Sequence, residues 1–173
     1  MSALPLALLL AMSNPIHAQT SSRKPSNITS QLITNQSKST NMDNQAAQTI
    51  QTFLTAIQKG DFPTATALIH PEIQWSQPGS NRFSGKKTSG TAVVQMVGGM
   101  IEASAKTLAL ADIKQLAVNG NKVACLIHWK AAQPGGGVLD VDNIDVYTVE
   151  NGKIVEATIY SENLAQEDEF WGK

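Results

Sequence analysis

The sequence predicts an α+β domain, with helices first and an antiparallel sheet after them, the helices packed on one face of the sheet. Three observations carry this. Apolar residues recur every three or four positions in two stretches, Ala46 to Ile57 and Val93 to Ile101, as on one side of a helix. After Ala105 that period stops and four strand-like runs follow one another. Turn-rich strings separate them: Asn119-Gly120-Asn121, Gln133-Pro134-Gly135-Gly136-Gly137 and Glu150-Asn151-Gly152.

The chain begins with residues 1–18, which hold no Lys, Arg, Asp or Glu. Leu4 to Met12 is almost wholly apolar, yet far too short to cross a bilayer, which needs about 20 helical residues. It fits the core of a secretory signal, with cleavage after Ile16-His17-Ala18 and before Gln19. Residues 1–18 are therefore read as a signal peptide, and export to the periplasm or outside the cell is expected. No cysteine lies near the cleavage point, so neither a lipid anchor nor a stable membrane attachment is expected. Residues 19–43 are rich in Ser, Thr, Asn and Gln without a sustained period, and read as a flexible polar tether. The folded domain is expected over 44–173.

Within it, the first helix carries Ala46, Ala47, Ile50, Phe53, Leu54 and Ile57 and ends at Gly60-Asp61. A short second helix spans Pro63 to Ile69, with the proline suited to a first turn. His70-Pro71 breaks it, because a residue before proline avoids the helical region. Ile73 to Ser76 reads as a short strand, and Gln77 to Asn81 as a loop. The third helix runs from Gly90 to about Ala105, with Gly98-Gly99 inside it allowing a kink or a close approach. The four strands are Thr107 to Val118, Lys122 to Ala132, Val138 to Val149 and Lys153 to Tyr160. The segment from Leu164 to Lys173 joins an acidic run, Glu167-Asp168-Glu169, to Phe170-Trp171. A helical turn after Asn163 is expected to dock the two aromatics, as a lid or a staple, with the acidic side chains left in water.

Composition narrows the function. Of 173 residues, 42% are apolar and 16% charged, and the formal net charge is −1, so no chain-wide basic field exists to grip nucleic acid. One cysteine excludes an intrachain disulfide and a multi-cysteine metal site, and three scattered histidines give no metal-ligand spacing. No metal and no cofactor is expected.

Three strings, in order, resemble one family. They are Gln58-Lys59-Gly60-Asp61 with His70-Pro71-Glu72-Ile73-Gln74-Trp75; Gly85 leading into the Val93–Met100 helix; and Leu139-Asp140-Val141-Asp142-Asn143-Ile144-Asp145-Val146-Tyr147 followed by Glu150-Asn151-Gly152-Lys153-Ile154-Val155-Glu156. From about Gln45 to Lys173 the chain resembles the SnoaL-like and ketosteroid-isomerase-like branch of the NTF2-like superfamily. The resemblance implies a strongly curved, cone-shaped sheet, three N-terminal helices against it, and an apolar pocket between the two.

The resemblance also places residues. Asp145 matches the acid that helps form the oxyanion hole of ketosteroid isomerases, an acid that an apolar site keeps protonated. Strand alternation then gives an inward face of Asn143 and Tyr147 beside Asp145, Ile127 and Trp129 on the strand before, and Glu156, Thr158 and Tyr160 on the strand after. Trp75 or Ser76 is expected near the mouth and Phe53 on the first helix. Phe53 stands where the isomerase has a tyrosine, and Ser76, within one residue of Trp75 and Gln77, where it has its carboxylate base. The standard isomerase route is therefore not expected, and Glu156 is the remaining candidate base beside Asp145. Aromatics that simply fill a core are the alternative to a pocket. The expected function is binding of a small, largely apolar molecule, with proton-transfer chemistry such as isomerisation, cyclisation or dehydration. The alternative is a non-catalytic exported binding or dimerisation module. The resemblance further implies a homodimer through the outer sheet face, where Leu126, His128, Lys130, Ile144, Val146, Thr148, Val155, Ala157 and Ile159 are expected.

Overall fold

In the computed structural model, which describes residues 27–173, the first helix, α1, is Asn27–Gln58. The predicted signal peptide and residues 19–26 of the predicted tether lie outside the described residues. Residues 27–43 differ from expectation, because they are helical and extend α1 upstream of the boundary read at 44. No Gly or Pro interrupts 27–58. A helix nucleated by its packed C-terminal half can therefore propagate backward at small cost per residue. That half buries Ala46, Ile50, Phe53 and Leu54, one helical face. At its end, Gly60 takes φ +70° and the Asp61 N–H donates to the Ala56 carbonyl at 2.8 Å.

Asp61 next caps α2 (Phe62–Leu68), its carboxylate accepting from the Thr64 N–H at 3.2 Å. The chain then runs extended as β1 (Ile69–Gln77), turns through a loop, and returns as the short β2 (Gly85–Lys87). Ser89 caps α3 (Gly90–Ala103) by accepting from the Ala92 N–H at 3.2 Å. Gly99 lets the Phe83 ring lie against α3, since a Cβ there would sit 2.8 Å from the ring. Three long strands follow, β3 (Ala109–Asn119), β4 (Lys122–Ala132) and β5 (Val138–Glu150), then β6 (Lys153–Ser161) and the C-terminal helix α4 (Leu164–Trp171).

The strands form one open sheet in the order β2-β1-β6-β5-β4-β3. Every pair is antiparallel except β1 with β6. That pair is parallel because β1 lies far upstream, and the intervening α3 and β3–β5 provide the long crossover a parallel neighbour needs. The sheet is thus mixed, with one parallel pair a strand in from its edge, and otherwise antiparallel as expected. Register shifts between Leu110 and Asp112, and again between Ile113 and Gln115, bulge β3 and bend the sheet around its inner face. α1 packs across β3 to β6 on that concave side, while α3 packs against β1.

One further bulge decides which side chains face inward on β6. The Asn151-Gly152 turn pairs Glu150 with Lys153 and Val149 with Ile154, but Thr148 then pairs with Glu156. Val155 is the extra residue. Beyond it every β6 side chain sits on the opposite face from an unbulged hairpin. Asp145 consequently lies opposite Ile159, and Ala157 and Ile159 are buried where Glu156, Thr158 and Tyr160 were expected. Ala157 and Ile159 accordingly leave the expected outer face, and Tyr160, 57% exposed, joins it.

Candidate functional site

Between the concave face of the sheet and the helices lies a cavity of about 340 Å³. Its wall is mainly apolar, built from Leu54 and Ile57 on α1, Met96 and Met100 on α3, and Leu110, Leu139 and Val141 on the sheet. Phe62 and Val94 line it too and are 46% and 42% exposed, so the cavity reaches solvent between α2 and α3. The volume is at the small end of ligand pockets, which run to roughly 300–1,000 Å³.

The polar groups gather on β5 and α4. Asp145 is buried, and the Tyr147 hydroxyl donates to its Oδ2 at 2.8 Å. Its Oδ1 is buried without a hydrogen-bond partner among the described residues. Phe53 and Trp75 hold the Tyr147 ring edge-on, with centroids 5.8 and 6.2 Å away, which fixes the direction of the hydroxyl. Burial pushes the Asp145 carboxyl up to about 7, the Tyr147 hydrogen bond opposes that, and the nearby Glu167 adds to it. Burial, with the charge of Asp145 second, pushes Tyr147 well above its ordinary range. Trp75 and Gln77 share the inward face of β1, where the indole N–H donates to Gln77 Oε1 at 3.0 Å.

Glu167 is the group the sequence did not reveal. It is 3% exposed and lines the cavity from α4. In the orientation its neighbours require, the Asn143 amide nitrogen donates to Glu167 Oε1 at 3.2 Å and to the Asp142 carbonyl at 2.9 Å. Asn143 and Asp145 are successive inward positions on β5, about 7 Å apart along the strand. Burial raises the Glu167 pKa, while the Ser161 hydroxyl, the Asn143 amide and the Trp171 indole favour its ionised form. Its acidic neighbours made it look like part of a solvated run. The signal was its spacing, since 167, 170 and 171 stand i, i+3 and i+4 on one helical face with Phe170 and Trp171.

α4 is held by its own contacts. Asn163 caps it by accepting from the Gln166 N–H at 3.0 Å. Asp168 accepts from the Ser80 N–H, the Ser80 hydroxyl and the Asn81 amide, each at 2.8 Å. The Arg82 N–H donates to the Gly172 carbonyl at 2.9 Å, and Gln133 Nε2 to the Phe170 carbonyl at the same distance. Trp171 packs edge-on against Phe83 at 5.6 Å and Phe170 at 4.7 Å.

Of the residues picked out by sequence, the structure brings Phe53, Trp75, Trp129, Asn143, Asp145 and Tyr147 to the cavity wall. Ile127 is fully buried behind that wall and does not line it. Ser76, Glu156, Thr158 and Tyr160 correct the reading, because none lines the cavity. Ser76 pairs beside Thr158 on the far face, and the Val155 bulge turns the other three outward. Glu156 accepts from the Thr148 hydroxyl at 2.9 Å and lies 3.7 Å from Lys122, away from Asp145. His128 is also on the outer face, its Nδ1 2.5 Å from Asp142 and its Nε2 2.8 Å from Asp140. Burial, with the charge of Asp145 second, pushes the Cys125 thiol up to about 12, which disfavours its thiolate. Among the described residues, no three His, Cys, Asp or Glu side chains converge to hold a metal ion. No helix there is long and apolar enough to cross a membrane.

This geometry has relatives. Residues 50–157 match the profile of the SnoaL-like domain family. A protein of unknown function with a cystatin-like fold from Xanthomonas campestris is 34% identical, with a TM-score of 0.71 over 74% of this chain and 98% of that one. Bal32a, from a soil-derived mobile gene cassette, is 23% identical, with a TM-score of 0.71 over 76% of this chain and 99% of its own. A putative SnoaL-like polyketide cyclase from Jannaschia sp. CCS1 is 16% identical, with a TM-score of 0.62 over 76% and 95%. No curated protein matches the sequence. The profile match and the 34% identical structure agree with the cavity and the curved sheet, and the chain belongs to the SnoaL-like family of the NTF2-like superfamily.

Proposed function

We propose that this protein binds a small, largely apolar carbonyl compound and stabilises negative charge that develops on its oxygen, in proton-transfer chemistry such as isomerisation, cyclisation or dehydration. One observation carries the reading: Asp145 Oδ1 is buried, lacks a partner among the described residues, and belongs to a carboxyl that lines an apolar cavity. With Tyr147 donating to Oδ2, a proton on Oδ1 has no acceptor among the described residues and is left for a ligand oxygen that comes within reach of it. Such a donor, held in an apolar wall, interacts more strongly with an oxyanion than water does, and needs no reorganisation. The aromatic wall of Phe53, Trp75 and Trp129 suits a rigid ligand of two or three fused rings better than a flexible chain. A putative polyketide cyclase shares the fold, which by analogy of fold alone agrees with cyclisation as one of these reactions.

Trp75, Trp129 and Trp171 line the cavity and serve as reporters. The test is a fluorescence titration with 2-naphthol, whose oxygen resembles that of an aromatic enol. Saturable quenching, at least tenfold weaker in Asp145→Leu, is the expected result. Equal affinity in both proteins, or no binding, would refute the role given to Asp145.

A further inference from the structure

We propose that Glu167, carried into the cavity by the C-terminal helix, is the catalytic base of this site. The inference rests on the reading of Asp145 above and adds the group that moves the proton. Asp145 alone supplies a donor, and proton transfer at carbon also needs an acceptor. The residues at the family's base position, Trp75, Ser76 and Gln77, hold no titratable group, and Glu156 faces away. Glu167 is the other carboxyl that lines the cavity.

Its surroundings suit the role. A carboxylate 3% exposed in an apolar wall is poorly hydrated, which strengthens it as a base. The Asn143 amide holds one oxygen, Oε1, at 3.2 Å, and orients the group. The titratable groups near it are Asp145 and Tyr147, the next inward positions on β5 after its partner Asn143, and Asp168 beside it on α4. Glu167 Oε1 accepts from the Asn143 amide, a hydrogen bond that favours the ionised carboxyl, whereas Asp145 Oδ1 has no partner among the described residues, so the acceptor role falls to Glu167 and the donor role to Asp145. Two acids in one site, differently hydrogen-bonded, thus divide the roles of donor and acceptor.

The step balances without a cofactor. Glu167 takes a proton from a carbon next to the carbonyl, the C–H electron pair becomes the carbon–carbon double bond, and the carbonyl π pair moves onto oxygen. That oxygen receives the hydrogen bond, or the proton, of Asp145. Where a carbon–carbon double bond adjoins that carbon, return of the proton from Glu167 to its far end, with the oxygen's electron pair re-forming the carbonyl and the double bonds shifting by one position, completes an isomerisation. The substrate class is therefore an apolar ketone with an acidic C–H beside its carbonyl.

The experiment uses the full chain and 2-tetralone, a compact apolar ketone with exchangeable α-protons, in heavy water followed by proton NMR. Wild type should accelerate exchange, and Glu167→Gln should lose roughly a hundredfold or more of that acceleration while still binding 2-naphthol. Failure of wild type to bind 2-naphthol or 2-tetralone would overturn both readings. Binding of 2-naphthol with no accelerated exchange, or with full exchange in Glu167→Gln, would overturn the role of Glu167 and leave that of Asp145 standing. Should the variant misfold, the wild-type pH profile decides. A bell, rising as Glu167 ionises and falling near 7 as Asp145 ionises, supports the pair, and a rate that only climbs with hydroxide contradicts it.

Discussion

Asp145 reaches the cavity through simple alternation. β4 and β5 pair without a shift, from Lys122 with Thr148 to Ala132 with Val138, so inward positions read from sequence stay inward. That is why Trp129, Asn143 and Tyr147 were legible beside it. Glu156 was misread and Glu167 missed for related reasons: a single inserted residue, Val155, reverses a face, and a carboxylate in an acidic run is judged by its neighbours rather than by its helical spacing. Burial of Asp145 has a thermodynamic consequence. Its folded pKa, about 7, lies above the ordinary 3.8, so the native state binds the extra proton between these values. Stability must then fall as pH rises through that window, by up to about 1.4 kcal/mol per pH unit, and level off above it. Asp145→Asn removes this term. Its stability relative to wild type, measured by urea unfolding from pH 4 to 8, should climb by a few kcal/mol up to about pH 7. Parallel curves would show that Asp145 titrates normally.

Elements were read more easily than their joints. Turn strings at Asn119-Gly120-Asn121 and Asn151-Gly152 set the strand ends, and β4 was read at its true bounds. Bulges in β3 and β6 carry no comparable mark, because any residue type can fill them, and β2 was too short to show a period. The helix α4 was expected, yet its acidic residues were expected in water. Instead Glu167 is inside and Asp168 fastens the helix to the Ser80–Asn81 loop. Gly79 makes that fastening possible, since it takes φ +85° and a Cβ there would lie 2.3 Å from Asp168 Oδ1. Gly79→Ala should therefore lower the melting temperature and speed proteolysis within 164–173. Because Glu167 and Trp171 ride on the same helix, cavity affinity should drop with it. Unchanged proteolysis would show that α4 is held by Phe170 and Trp171 alone.

At the scale of the molecule, the sheet presents two unlike faces. The concave face carries the cavity, and the outer face carries Leu126, Ile144, Val146 and Tyr160, with Ile144 49% exposed. The bulge at Val155 moved Tyr160 onto that face in place of Ile159, so the apolar patch is smaller and more aromatic than the sequence suggested. We propose a second copy of the chain, docking the same patch on itself, as its partner. Sedimentation equilibrium should show a dimer at micromolar concentration that Ile144→Lys converts to a monomer. A wild-type monomer at high micromolar concentration would contradict it. The concave face and the helices enclose a cavity whose wall raises the pKa of one carboxyl. That is measured most directly by carbon-13 NMR of Asp-labelled protein, following the Asp145 carboxyl from pH 3 to 9 and assigning it with Asp145→Asn. A midpoint near 7 is the result expected from its burial, and a midpoint at or below 4 would show an ionised, well-solvated Asp145 and contradict the site as described.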